Sequence, residues 1–242
     1  MPQFDEDREE VIARALDALQ WLVVIGDGID GSQAACALCR PGIHASVGFH
    51  PYRATSFDEK AREKLIELAS QPGVVALGEM GLDYYNEFSP RADQRRCFEE
   101  QLTLAAELAM PVVIHCRDAD EDTGAVLRDH LPRLPGCIMH CFGGSPDFAE
   151  YCLSLGCYIS FAGNVTFPKA EKLRDAARIT PPERLLAETD APYLAPQSYR
   201  GKRCEPAHVI STLAFLAELK DIPAEELIAR TSRNAAEVYG LS

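Results

Sequence analysis

The run PVVIHCRD, Pro111 to Asp118, is apolar for its first half and then ends on His115, Cys116, Arg117 and Asp118. Other apolar runs carry comparable polar residues: His50 in HASVGFHP, Glu79 in VVALGEMGLD, His140 in CIMHCF and Asp190 in LLAETDAP. Imidazole offers a neutral nitrogen and carboxylate a hard, charged oxygen, so a site that gathers both suits a divalent cation. One histidine ending a strand is ordinarily a hydrogen-bonded structural residue. Two histidines, a glutamate and an aspartate on four strand ends are harder to account for in that way. Burying several such groups unpaired costs free energy comparable with a domain's whole net stability, so either a cation or dense hydrogen bonding must compensate.

What must position these residues is a set of strands. Seven Val-, Ile- and Leu-rich runs recur, beginning at Trp21, His44, Val74, Pro111, Cys137, Cys157 and Leu185. Helical spacing separates them. In SPRADQRRCFEEQLTLAAELAM, Phe98, Leu102 and Ala105 share a face, Arg95 and Glu99 form an i,i+4 pair, and Ser89-Pro90 resembles an N-cap followed by a first-turn proline. Ser145-Pro146 repeats that opening, and Gly156 supplies a C-terminal stop. Near-continuous apolar strands alternating with helices predict a parallel sheet covered by helices, either a (β/α) barrel or an open doubly wound sheet. Polar residues at many strand ends favour the barrel, since an open sheet concentrates its site at one switch point. A closed TIM-type (β/α)8 barrel needs eight strands, one more than the runs supply.

With 242 residues, 47% hydrophobic and no linker-like tract, the chain reads as one domain over residues 1–242. No dinucleotide- or nucleoside-triphosphate-binding glycine loop is present, so no dinucleotide cofactor is expected. The acidic start MPQFDEDREE and the lack of any apolar run near the ~20 residues of a membrane span predict a soluble, cytoplasmic protein with no membrane partner. Nine cysteines read as reduced thiols, and the Cys36/Cys39 pair reads as packing on an apolar helix face. A net charge of −13 argues against indiscriminate nucleic-acid binding but leaves room for a small site in which cations and local bases offset the field.

The wording around these residues is specific. GEMGLDYY at Gly78, HCRDA at His115, HCFGG at His140 and ETDAPYLAP at Glu188 resemble, in order and spacing, the TatD family of metal-dependent deoxyribonucleases. GFHP at Gly48, the segment YRGKRCEP around Arg200 and the C-terminal NAAEVYGL add to the resemblance, which spans essentially the whole chain. The resemblance implies a metal-dependent hydrolase barrel that cleaves DNA phosphodiesters with divalent ions, Mg2+ first and Mn2+ or Zn2+ as alternatives. By motif, Glu79 would bridge two metals, His115 and His140 would hold one, and Asp190 would hold the other and orient or deprotonate water. His50 would face the substrate phosphate. Arg200, Lys202 and Arg203 would meet the DNA backbone, with a solvated loop as the plainer reading. Tyr84 and Tyr85 would pack at the mouth or stack on a base.

The family's first strand ends in an H-x-H pair, and no such pair occurs in this sequence. MPQFDEDREEVIARAL resembles the segment following that strand, so the eighth strand and two ligands of the first metal position are absent together. The expectation is an incomplete first metal position, two open backbone edges and reduced activity. A start site assigned too late, a chain turned binding protein and a variant with other ligands all account for this. Beside the nuclease stand a hydrolase of a small amide, ester or phosphoester and a metal-poor, non-catalytic binding protein. His44, His130 and His208 read as structural or surface residues.

Overall fold

In a computed structural model, which describes residues 2–241, all seven expected strands form. They are β1 (Leu22–Ile25), β2 (Ile43–Val47), β3 (Val74–Asp83), β4 (Val112–Arg117), β5 (Cys137–Met139), β6 (Tyr158–Phe161) and β7 (Leu185–Ala187). They pair in chain order in one parallel sheet. The helices are α1 (Arg8–Ala18), α2 (Gly28–Cys36), α3 (Glu59–Ala69), α4 (Arg91–Glu107), α5 (Asp120–His130), α6 (Pro146–Ser154), α7 (Glu171–Ile179), α8 (Val209–Leu219) and α9 (Ala224–Tyr239). The fold is α/β, a curled barrel wall left open between β1 and β7.

Both faces of the wall are buried, and they use alternate residues. One face, formed by Val112, Ile114, Met139, Ile159 and Leu185, joins a large cluster with Leu65, Phe98 and Leu102 of the surrounding helices. The other, formed by Ala76, Val113, Ile138, Tyr158 and Leu186, makes a smaller inner cluster with Val238 of α9. The strand period of two therefore sorts each residue to the helix side or the barrel interior.

The helix starts refine the sequence reading. Ser145 caps α6, its hydroxyl accepting from the Phe148 N–H at 3.1 Å, and Gly156 follows that helix at φ +89°. Ser89, expected to do the same for α4, does not. Pro90 occupies the cap position, while the buried Ser89 hydroxyl donates to the Tyr52 carbonyl at 3.0 Å. A tertiary hydrogen bond has replaced the local one. Arg95 and Glu99 pair at 2.9 Å, and Phe98, Leu102 and Ala105 are fully buried, as their spacing requires.

Between β1 and β7 runs a cleft of about 2030 Å³. Its apolar part is lined by residues such as Val24, Leu186, Ile228 and Tyr239, and it continues upward to His50, Glu79, His115, His140 and Asp190. No helix among the described residues is long and apolar enough to cross a membrane.

Candidate metal centre

The alternation that builds the inner cluster also aims the site. Val113 of β4 and Ile138 of β5 face inward, so His115 and His140, two residues further on, face inward at the strand ends. Leu186 does the same for Glu188, and Tyr158 for Ser160, while Asp190 lies in the loop after β7 at φ +54°. On β2, Val47 and Phe49 lie in the helix-side cluster, which turns His50 to the interior.

Glu79 breaks the pattern. Ala76 is inward, yet Leu77 and Met80 both belong to the helix-side cluster. The register explains this: Leu77 pairs with Val112 and Met80 with Ile114, so β3 spends one more residue than β4 across that interval. This bulge re-aims Glu79 into the barrel from the middle of its strand. Just beyond it, Gly81 has φ +145°, and a side chain there would collide with the His115 carbonyl. Only glycine allows the two strands to meet at that point.

Glu79 is the hub. Its Oε1 lies 2.8 Å from His115 Nδ1, 3.5 Å from His50 Nε2 and 3.6 Å from His140 Nε2. Asp190 Oδ1 stands 3.8 Å from the same His140 nitrogen. Of the five expected residues, the three histidines thus reach Glu79 directly, and Asp190 joins through His140. Ligand atoms of His50, Glu79 and His115 all lie within 4.8 Å of one another.

Around the hub stand partners that sequence reasoning missed. His115 Nε2 faces the fully buried Asp83 carboxylate at 3.2 Å, and the same oxygen accepts from the Tyr52 hydroxyl at 2.9 Å. His140 Nδ1 lies 2.8 Å from Glu188 Oε1, and Ser160 donates to the other Glu188 oxygen at 2.7 Å. His50 Nδ1 accepts the Tyr52 backbone N–H at 3.2 Å. Asp83 also accepts the Tyr85 and Asn86 backbone N–H groups at 3.0 and 2.8 Å, so from sequence alone it reads as an ordinary turn-forming aspartate.

Burial would raise the Glu79 carboxyl, but the His140, His115 and His50 imidazoles outweigh it and hold the group well below its ordinary range. Burial works against imidazolium at His115 and His140, yet neighbouring carboxylates raise both, those of Asp83 and Glu79 at His115 and chiefly those of Glu188 and Glu79 at His140. Asp190 is pushed up to about 6 by burial, with Glu188 and Glu79 adding to the effect. Carboxylates thus outnumber the cations available inside the cleft. The buried Glu188 Oε1 makes no well-directed hydrogen bond despite its short approach to His140. A donor set of imidazole nitrogens and carboxylate oxygens with surplus negative charge fits a divalent cation.

The family model for TatD-related DNase matches residues 1–240. The chain belongs to that family. It is 39% identical to the uncharacterized metal-dependent hydrolase YabD of Bacillus subtilis, over 99% of this chain and 95% of that protein. It is 40% identical to a 3'-5' ssDNA/RNA exonuclease TatD of Shigella flexneri, again over 99% and 95%. The crystal structure of the TatD homologue YjjV from Escherichia coli superposes with a TM-score of 0.92 at 29% identity, covering 100% of this chain and 95% of that one. This TatD-family chain is therefore a metal-dependent hydrolase, of a family whose nucleases act on nucleic-acid phosphodiesters.

Other expected residues take different places. Arg203 is held by both Asp7 oxygens, at 2.8 and 2.6 Å, and by Glu205 at 3.2 Å. Arg200 lies 4.2 Å over the Phe167 ring, and Lys202 is exposed. None of the three lines the cleft. An arginine shared by two carboxylates ties the N-terminal segment to the loop after β7, which leaves little of its charge for a phosphate. The two tyrosines part company: Tyr84 is packed, its hydroxyl on Asp122 at 2.8 Å, whereas Tyr85 is 64% exposed. The nine cysteines are free thiols, Cys36 and Cys39 among them. His44 packs edge-on against Trp21, and His208 stacks on Tyr199.

Proposed function

We propose that this TatD-family hydrolase cleaves DNA phosphodiester bonds with divalent cations, Mg2+ being the cellular ion. The carrying observation is the convergence of three imidazoles from three strand ends on one carboxylate oxygen of Glu79. Glu79, His115 Nδ1 and His140 Nε2 would hold one cation, and Glu79 with Asp190 would hold the other. Bound cations would supply Lewis-acid activation of water and charge neutralisation at the leaving oxygen. The chain's own groups do the rest. Asp190, raised toward neutrality by burial, is placed to orient water and take its proton.

His50 has a different task, set by its other nitrogen. Because Nδ1 accepts from Tyr52 N–H, the neutral ring carries its proton on Nε2. That nitrogen is a donor in this state, suited to a phosphate oxygen rather than to a cation. His115 is the reverse: with Nε2–H donated to Asp83, the neutral ring would turn its Nδ1 lone pair to a cation held with Glu79, in place of the proton that pairs Nδ1 with Glu79 when none is bound.

Hydrolysis of an end-labelled single-stranded oligodeoxynucleotide in Mg2+ or Mn2+ tests the reading. Glu79→Ala and His115→Ala should abolish cleavage and weaken Mn2+ binding in calorimetry. A wild-type protein that hydrolyses small esters or amides but leaves DNA intact refutes the nuclease assignment, and unchanged Mn2+ affinity in both variants refutes the site.

A further inference from the structure

Resting on the nuclease reading, we infer that Phe88 and Arg117 form a nucleotide subsite beside the cluster, Phe88 stacking on a base and Arg117 pairing with an adjoining phosphate. Rings lead outward from the centre without interruption. The His115 and His50 centroids are 4.4 Å apart, those of His50 and Tyr52 4.2 Å, and those of Tyr52 and Phe88 4.7 Å. The last ring stands at 88° to Tyr52 and is 71% exposed. Its support is fixed, since the Tyr52 hydroxyl is engaged by both Asp83 and Asn86. A phenyl group held on a half-buried tyrosine and turned to water beside a polar cluster gains nothing for the fold. A flat π-face as partner gives it a use.

Arg117 supplies the charge. It ends β4 two residues after His115, lines the cleft, and lies 4.0 Å over the exposed Tyr85 ring. Among the described residues its guanidinium has no carboxylate partner and no side-chain hydrogen bond. In a chain of net charge −13, where Arg53, Arg91 and Arg95 nearby are each paired with an acid, that free fork is available to an anion. The planar donor array suits a phosphate, and the ring beneath it limits its motion. Exposed base and charged phosphate next to each other are features of a single strand, whose bases are free to stack.

The test compares a short single-stranded oligothymidylate with an abasic strand of equal phosphate number, measuring KM in Mn2+ and Kd in Ca2+. The wild type should prefer the base-bearing strand. Phe88→Ala should reduce that preference by about tenfold, equivalent to about 1.4 kcal/mol, and Phe88→Trp should restore it. Arg117→Gln should weaken both strands alike and reduce the salt dependence of log Kd by about one phosphate's worth. An unchanged preference in Phe88→Ala, with the wild type cleaving DNA, overturns the subsite alone. A wild type that neither binds nor cleaves either strand overturns the nuclease reading and the subsite with it.

Discussion

Replacing Asp83 by asparagine separates the orienting role of that residue from simple packing, because the amide keeps the shape and removes the charge. Asp83 Oδ1 accepts the Tyr85 and Asn86 backbone N–H groups, while Oδ2 faces the Tyr52 hydroxyl, the Asn86 side-chain amide and His115 Nε2. An asparagine can keep its oxygen at the Oδ1 position and satisfy both backbone donors. Its NH2 group then sits where Oδ2 was. The Tyr52 hydroxyl can rotate and accept, the Asn86 amide meets a donor, and His115 must turn Nε2 into an acceptor. The reversed orientation is worse, since the NH2 would meet two backbone N–H groups. Two interactions are therefore lost or inverted, and bonds to a buried charged group contribute about 1.5–3 kcal/mol each. With Asn86 free to move, a destabilisation of about 2–4 kcal/mol is expected.

The functional effect is larger than the structural one implies. Once His115 Nε2 accepts, the neutral ring carries its proton on Nδ1, the nitrogen 2.8 Å from Glu79, and the lone pair is gone from the cluster. Loss of such a supporting carboxylate typically weakens metal binding about 10- to 100-fold. Calorimetric titration with Mn2+ reads the affinity. Ring-nitrogen chemical shifts of His115 in the metal-free protein, recorded at a pH where the ring is neutral, read the tautomer. An Asp83→Asn protein with wild-type Mn2+ affinity and an Nε2-protonated His115 refutes the reasoning, whatever its melting temperature.

Two further outcomes follow from the charges. His115 and His140 are raised above their unfolded value by carboxylates, so the stability they confer is fully present below about 6.5 and is lost as pH rises through their folded values. Asp190, raised to about 6, acts in the same direction, whereas Glu79, lowered, confers stability that is lost on the acid side. Metal-free protein should therefore melt highest in mildly acidic buffer and decline toward pH 8, where Mn2+ should raise the melting temperature more than at pH 6; equal metal-induced shifts at both values contradict this. Arg203→Gln should leave the KM for DNA unchanged while making the N-terminal segment around Asp7 easier to cut in limited proteolysis, since its partners are Asp7 and Glu205. A raised KM with unchanged proteolysis would return Arg203 to the substrate surface.

How far the sequence discloses this site depends on whether a residue's direction is set by its own strand or by its neighbours. His115 and His140 follow inward-facing apolar residues at even spacing, so period-two alternation places them, whereas Asp190 is turned by the loop after β7. The seven strands were legible for the same reason. Glu79 is different: counting from Ala76 sends it to the helix side, and only the extra residue on β3 opposite β4 turns it inward. A bulge is a property of two paired strands and leaves no periodic signal in either one. Asp83, Glu188 and Ser160 were hidden by another mechanism, since each resembles a common turn or strand-end residue until its distant partner is in place. Arg117 and Phe88 escaped notice because exposure and lack of a partner are three-dimensional facts. The charged cluster YRGKR drew attention in the sequence by composition, yet in the fold Arg203 is neutralised by Asp7, 196 positions away. Local charge density records which side chains are near along the chain, whereas a phosphate responds to whichever cation the fold leaves free.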